Sequence, residues 1–409
     1  MITETGHRRT SGRLHGLRPR GAFQLWIVVP VLGWATLYCL KWLGLGALAP
    51  DTMAGYYNAS AYWVSYRDGF VRRGLPGAVL EGILGHPPGV MAASVVAALL
   101  VVLVLAALVL LTAAAVRATP DAQDRLVVAA LVLASPFTFT LAVINRGRYD
   151  AVVVVCVAVI VLLASRRTLP LMRVLGISLA VVAGAGSLEI SLAFLAPLAL
   201  LAVLPLGRTP VQRIGCGAIA VLPGLALAVV SLAVHPSVGM LITMMERESA
   251  TGFPLSRSEE NSISALGQTT GDALAHTVGI SPWTILFCAL VLGGCYVLTA
   301  SLLWARLGHP RRYWALALMS LYALAALGLS AVGDDYRRWW GFAFVAMVAS
   351  LVLLRRGAVT IPAPRHAEPP RRRLVAAALL VSAAMALFPI WPTWDQPATG
   401  ASIDQIQQH

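Results

Sequence analysis

Long apolar stretches separated by short polar connections repeat along the whole chain. Runs of about 20 apolar residues are typical of helices that cross a bilayer, because such a helix spans the ~30 Å hydrocarbon core. Segments of about 10 alternating residues, which are typical of an outer-membrane barrel, do not occur in the sequence. The pattern therefore predicts an all-α, polytopic transmembrane helical bundle.

The positions of the apolar runs predict about 11 spans. In residue numbers they are 22–40, 90–116, a third that ends at 145, 151–165, two within 174–207, 214–235, 283–305, 313–332, 341–354 and 374–391. The block 174–207 is too long for one span and has arginine at both ends, so we predict that the chain turns near Glu189 and returns. The alternative is one long tilted helix, which would place Glu189 in mid-membrane and invert everything downstream.

Basic residues gather in alternate connections, and this asymmetry predicts the orientation because cytoplasmic loops are enriched in Lys and Arg. The basic tail 1–21 should be cytoplasmic, and an odd number of spans places the tail 392–409 outside. A single transmembrane domain, 22–391, is then predicted. Its outer loops are 42–88, 145–150, 236–281 and 333–338, and its basic cytoplasmic linker is 355–373.

Aromatic residues in the first outer loop are spaced as on one face of a helix. Tyr56, Trp63, Tyr66 and Phe70 are separated by intervals that fit helical periodicity. We therefore expect an amphipathic helix that lies along the bilayer surface, with its rings at the level of the headgroups.

The composition is that of a membrane protein, and this affects how the positive net charge is interpreted. Hydrophobic residues make up 58% of the chain and charged residues only 12%, against roughly 25% charged in soluble domains. The charge of +13 is explained by arginines in cytoplasmic connections rather than by nucleic-acid binding. The Ala- and Arg-rich composition with a single lysine is typical of a bacterial protein, so we expect the inner (plasma) membrane.

Charged residues on the predicted outer side form clusters in which acids stand close to arginines. The clusters are Asp51 and Asp68 with Arg72 and Arg73; Arg146, Arg148 and Asp150; Glu189; and Asp334, Asp335, Arg337 and Arg338. Outer arginines run against the positive-inside preference and therefore need a reason. Glu189 also needs a partner, because an ionisable group within apolar sequence is costly.

Paired arginines present rigid forks of donors that suit phosphate oxygens. A polyprenyl-phosphate-linked sugar would place its tail in the lipid and its anionic head at this depth. A nearby carboxylate could deprotonate an acceptor hydroxyl while the arginines stabilise the leaving phosphate. We therefore expect these clusters to converge on one site that faces the periplasm.

Other charged and metal-ligating residues give weaker indications. The charges between Glu246 and Glu260 in the long outer loop are expected to be solvated. The histidines and cysteines lack the spacing of a metal site, so no metal or other cofactor is predicted. A divalent cation could sit with Asp334 and Asp335, although two adjacent acids do not specify one.

The first outer loop resembles that of the GT-C glycosyltransferases, integral membrane enzymes that take sugars from polyprenyl-phosphate donors. Asp51, followed by Tyr56-Tyr57 and Ala59-Ser60-Ala61, is similar to an Asp, Tyr-Tyr, small-residue pattern in one branch of that superfamily. The resemblance implies that Asp51 is the catalytic base, and Asp68, just before Gly69, is its rival. It also implies a glycan or lipid acceptor and a role in cell-envelope polysaccharide biosynthesis.

Two alternatives remain at the level of sequence. The span count, long outer loop and outer arginines also resemble polysaccharide repeat-unit polymerases of the periplasmic face, which perform the same class of reaction. A transporter or flippase for lipid-linked glycans would suit Glu189 and short, broken helices. The charges gather on one face, however, and inverted repeats are not evident, which favours glycosyl transfer.

Overall fold

The computed structural model describes residues 60–356 and residue 404, with gaps at 121, 145–146, 167–168, 253–260, 270, 273, 276–281, 308–311 and 333–335. Within these residues the chain is helical and contains no β-strand, as the apolar pattern predicts. The predicted first and last spans, 22–40 and 374–391, lie outside the described residues, as do the two terminal tails apart from residue 404.

Twelve α-helices of the described residues are used below. In chain order they are α1 (Leu75–Leu84), α2 (Val90–Ala118), α3 (Ala122–Leu133), α4 (Pro136–Phe139), α5 (Asp150–Ser165), α6 (Pro170–Ser187), α7 (Leu192–Val203), α8 (Pro210–Ala233), α9 (Val238–Ser249), α10 (Pro282–Arg306), α11 (Arg312–Val332) and α12 (Tyr336–Arg356). A π-helical turn, Thr140–Ile144, continues α4, and short 3₁₀ turns lie at Ser60–Trp63, Tyr66–Asp68, Glu189–Ser191, Leu204–Leu206 and Ser264–Gly267.

Several of these helices have the length and composition of membrane spans. Six in the described part are long and apolar enough to cross a bilayer, and a seventh results if Asp124–Leu133 and Pro136–Ala142, bent by 41°, form one span. α5 and the stretch Ala289–Ala305 are apolar but shorter. The described chain therefore has the helices of a multi-pass membrane protein, whereas the figure of about 11 spans and the sides of the termini stay predictions.

Helix α12 is the centre of the bundle. Of its apolar window, 89% is buried inside the protein, against 28% for α8 and α11. It packs against α5, α7, α10 and α11, and its phenylalanines Phe342 and Phe344 contact Phe194 and Phe137 on other helices. A helix enclosed on all sides cannot face lipid, so the polar residues at its ends must find their partners within the protein.

The chain reverses between α6 and α7, as the hairpin interpretation of 174–207 predicts. Two contacts show that α6 and α8 run parallel. The Ser178 hydroxyl of α6 donates to the Ile219 carbonyl of α8 at 2.7 Å. Further along both helices, Val181 packs so closely against Gly224 that a Cβ there would lie 2.6 Å from it. The start of α8, at Gly217, lies against Leu200 near the end of α7. α7 therefore ends where α6 begins, and the single long helix is excluded.

The predicted surface helix in the first outer loop is wrong for its described part. The chain forms two short 3₁₀ turns there, separated by an extended residue, Ser65. Gly69 follows at φ 127°, a conformation that ends any helix at that point. Trp63 is 1% exposed and lies in the protein core rather than among headgroups, while Tyr66 stacks on Phe70 at 5.3 Å. In this part of the loop, the regularly spaced aromatic residues therefore pack against other segments of the chain rather than along a membrane surface.

Candidate functional site

The start of α5, the end of α6 and the start of α12 meet at one end of the bundle, which we call the polar end. α5 and α6 are antiparallel, because the Cys156 thiol contacts the Gly184 backbone while Leu163 lies against Gly176. Glu189 and Asp150 are thereby brought to the same end. The assignment of the polar end to the outer face rests on the positive-inside rule.

Glu189 is paired with Arg73 of the first outer loop. The guanidinium donates two hydrogen bonds to the carboxylate, at 3.2 and 3.0 Å, which is the bidentate geometry that arginine favours. Glu189 is buried, whereas 34% of the Arg73 side chain is exposed. The costly acid at the helix reversal therefore has the partner that the sequence led us to expect.

Arg73 is also held in an unusual backbone conformation. Its φ of 62° lies in the left-handed region, and among the described residues no other non-glycine residue has a positive φ. Such a conformation costs on the order of 1 kcal/mol and is retained where the surroundings fix it, often at functional sites. Here it directs the Arg73 side chain towards Glu189.

A second ionic cluster joins α5 to α12. Asp150 begins α5 and accepts a bond of 2.5 Å from Arg338, and it lies 3.4 Å from the Arg148 guanidinium. Arg338 and Asp150 are both 5% exposed, and the Arg338 guanidinium also lies over the Trp339 ring at 4.7 Å. A cation in the first turn of a helix opposes the helix dipole, so the buried carboxylate is needed to hold Arg338 there.

A cavity of about 40 Å³ lies between these two clusters. Arg73, Arg148, Asp150 and Arg338 contribute to its wall, together with Ser187 and Leu188 from the end of α6. The described residues place three guanidinium groups and two carboxylates around it, counting Glu189 behind Arg73. Of the predicted site residues, the structure thus brings together Arg73, Arg148, Asp150, Glu189 and Arg338, which come from four distant stretches of the chain. Arg72 and Asp68, which the sequence also places in this site, do not line the cavity.

A small layer formed by 60–74, 238–252 and 261–269 covers the cavity, and we call it the cap. It has a hydrophobic core of its own that includes Val71, Leu241 and Ile263. Arg72 belongs to this layer, because its guanidinium donates to the carbonyls of Ala265 and Gln268 at 2.6 and 3.1 Å. These two bonds tie the first outer loop to the long outer loop.

The long outer loop supplies an arginine that the sequence did not single out. Arg247 on α9 lies 2.6 Å from the carboxylate of Asp68 and 4.0 Å from that of Glu81, and it donates to the Trp63 carbonyl. Its side chain is only 13% exposed. The expectation that these loop charges are solvated is thus wrong for Arg247, because α9 folds back onto the first outer loop. No signal in the sequence distinguishes it from its neighbours.

Glu248, the next residue, is fully buried on the core-facing side of α9. Neither of its carboxylate oxygens has a hydrogen-bond partner in the described protein. Burial without compensation raises the pKa of Glu248 to about 9. The side chain is therefore neutral at pH 7, which corrects the expectation of a solvated charge at this position too.

Stability should depend on pH through Glu248. Unfolded chains lose this proton near the ordinary pKa of 4.5, while the folded protein keeps it to about 9, so folding loses free energy as pH rises through that window. We expect Glu248→Gln to raise stability by about 2 kcal/mol at pH 8 and to have little effect below pH 4.5. Thermal unfolding of the detergent-solubilised chain from pH 4 to 9 measures this. Glu246→Gln, at an exposed position on the same helix, is the control. If Glu248→Gln and the unaltered protein showed the same dependence of stability on pH, the prediction would be contradicted.

Some predicted site residues cannot be placed with the others. Asp51, Arg146, Asp334 and Asp335 lie outside the described residues. Arg337 is half-buried beside Arg338 at the start of α12. No three His, Cys, Asp or Glu side chains of the described chain come together as they would around a metal ion, and the possible cation position at Asp334 and Asp335 lies outside the described residues.

Residues 25–248, just over half of the chain, match the family described as Uncharacterised membrane protein Rv1490. The matched stretch includes Arg73, Asp150 and Glu189, while Arg338 lies beyond it. No curated protein and no solved structure matches the chain.

Proposed function

Since the chain belongs to the Uncharacterised membrane protein Rv1490 family, whose description names no activity, we propose a function from the polar end itself. The protein is a membrane glycosyltransferase that takes a sugar from a polyprenyl-phosphate or -diphosphate donor and transfers it to a glycan or lipid acceptor at the outer (periplasmic) face. The observation that carries the proposal is the convergence of the guanidinium groups of Arg73, Arg148 and Arg338 on one cavity.

The proposed reaction needs an anion site and a base. The acceptor hydroxyl oxygen attacks the anomeric carbon of the sugar, the bond from that carbon to the phosphate oxygen breaks, and the hydroxyl proton passes to a carboxylate. Arg73 is the best-placed phosphate ligand, because it lines the cavity and a third of its side chain is exposed. Arg148 and Arg338 add positive potential, which stabilises the charge that develops on the leaving phosphate.

Asp68 and Asp51 are the proposed alternatives for the base. Asp68 lies in the cap, where Arg247 holds its carboxylate and leaves 19% of the side chain exposed. Asp51 precedes the described residues. In either case the carboxylate belongs to the first outer loop, the segment that also carries Arg73.

The donor requires more room than the cavity offers. A space of about 40 Å³ holds only a few water molecules, because each takes roughly 10–15 Å³ of such a cavity. We therefore propose that the long-outer-loop stretches of the cap, 238–252 and 261–269, move away from the first outer loop to admit the sugar phosphate, while Arg73 stays bound to Glu189 and the polyprenyl tail stays in the bilayer. The bond from the Ser262 amide to the Ser60 hydroxyl, at 2.8 Å, joins the two loops and would break in this movement.

The test is cleavage of the bond between sugar and phosphate by the full chain in lipid vesicles. A panel of radiolabelled polyprenyl-phosphate hexoses and pentoses is supplied with an extract of membrane glycans, and release of polyprenyl phosphate is measured. Release that requires acceptor supports a transferase. If intact lipid-linked sugar crossed the vesicle membrane without release of polyprenyl phosphate, the result would instead support a transporter. That alternative is suggested by the helix break at Glu189.

Loss of the base should abolish transfer without unfolding the protein. We expect Asp68→Asn or Asp51→Asn to lower the rate of release about 100-fold or more, since a positioned base contributes roughly 10²–10⁴ to such rates. Asp272→Asn is the matched control, because Asp272 is exposed and its carboxylate accepts hydrogen bonds from nearby Thr269. Full activity in both of the first two variants would remove the carboxylates of the first outer loop from the mechanism.

A further inference from the structure

A second hollow lies away from the polar end, in a cleft between α2 and α5. Its volume is about 380 Å³, and its wall includes Leu110, Ala114, Val161 and Leu162. The last turns of both helices form its mouth. Its inner wall is aliphatic, so water would find few hydrogen-bond partners there, whereas Arg117, Ser165 and Arg166 make its mouth polar.

Two arginines stand at the mouth of the cleft, Arg117 from the end of α2 and Arg166 just past the end of α5. Both side chains are exposed. Unlike the arginines of the polar end, neither forms a hydrogen bond or ion pair with its side chain in the described protein. Cations near a helix C-terminus are favoured by the helix dipole, so the pair is stable in place and remains open to an external anion.

We propose that this cleft binds one phospholipid with an anionic headgroup, its phosphate between Arg117 and Arg166 and an acyl chain along the aliphatic wall. A free phosphate ion would use the arginines and leave the cleft empty, and a zwitterionic lipid would bring a headgroup cation that offsets its phosphate charge beside the two guanidinium groups. Basic pockets between spans at the cytoplasmic side are a known way to hold acidic lipids. The proposal is independent of the proposed glycosyl transfer.

The experiment measures lipid binding to the full chain in mild detergent by native mass spectrometry, with phosphatidylglycerol and phosphatidylcholine as probes. Each arginine near a membrane surface contributes roughly fivefold to the affinity for an acidic lipid. We therefore expect phosphatidylglycerol to bind about 20-fold more tightly than phosphatidylcholine, and the Arg117→Gln/Arg166→Gln double variant to remove that preference. Arg208→Gln, an exposed arginine that precedes α8 at the same end of the bundle, should keep it.

A second variant tests the acyl chain. Ala114→Leu narrows the cleft without changing its charge and should weaken both lipids, and soluble glycerol 1-phosphate should not displace phosphatidylglycerol. Equal binding of the two lipids would overturn the proposal, as would equal losses in Arg208→Gln and the double variant. No effect of Ala114→Leu, or displacement by glycerol 1-phosphate, would also overturn it, because either result places binding outside the cleft.

Discussion

Replacing Asp150 with asparagine is expected to destabilise the protein by about 3–5 kcal/mol, because it removes the buried carboxylate that pairs with the Arg338 guanidinium. The two groups lie 2.5 Å apart, and both side chains are 6% exposed. An asparagine side chain can still accept a hydrogen bond but carries no charge to offset the desolvated cation. Thermal unfolding in detergent should shift downward by about 10 °C.

Two further variants identify the cause of that loss. Asp272→Asn removes an exposed carboxylate and should change the unfolding temperature little. The Asp150→Leu/Arg338→Met double variant removes both charges and should regain much of the stability, since an apolar pair can replace a buried ion pair. An unfolding temperature of Asp150→Asn equal to that of Asp272→Asn would show that the ion pair does not hold α5 to α12.

Arg73→Lys is expected to lower kcat/KM for release of polyprenyl phosphate by about 100-fold, on the premise of the proposed function. A lysine keeps the charge but cannot form the bidentate bond to Glu189, so its ammonium group is not fixed at the cavity wall. Arg67→Lys is a matched control in the same cap, because Arg67 is exposed and forms no side-chain bond within the described protein. The measurement is the initial rate in vesicles over a range of donor concentrations.

Glycine at position 73 separates the side chain from the backbone. Gly adopts a φ of 62° without strain, so Arg73→Gly removes the guanidinium and preserves the turn. Combined with Glu189→Gln, which removes the carboxylate left without a partner, it should yield a folded and inactive protein. A wild-type kcat/KM in Arg73→Lys would exclude this arginine as the phosphate ligand, whichever sugar the donor carries.

Much of this architecture could be predicted, because a chain that inserts into a membrane needs long apolar segments and a biased distribution of arginines. Apolar length predicts helices, and the arginines at both ends of 174–207 predict the reversal that the structure places at Leu188 and Glu189. The cost of charge in apolar surroundings likewise predicts that Asp150, Glu189 and the outer arginines need partners. The sequence does not say which arginine pairs with which acid, since those choices depend on the packing of α5, α6 and α12.

The cap was not predictable from these rules. Trp63 has the spacing of a surface aromatic, but it is buried in the main core of the protein, and its carbonyl accepts a hydrogen bond from Arg247 of α9, 184 residues further along the chain. Glu248 and Arg247 are adjacent charged residues in a loop, and one is neutral by burial while the other pairs with Asp68. The local sequence pattern cannot predict which of the two residues is neutral and which is paired, because the deciding contacts are made with segments far away in the chain.

The central position of α12 has a consequence for the biogenesis of the protein. Arg338 lies 188 residues after its partner Asp150, and at about 5–20 residues per second a ribosome needs roughly 10–40 s to make the intervening chain. During that interval the earlier helices have entered the bilayer without the helix around which they pack. Assembly must therefore finish by late capture of α12, and an insertase or chaperone that shields Asp150 until then would set the yield of mature protein.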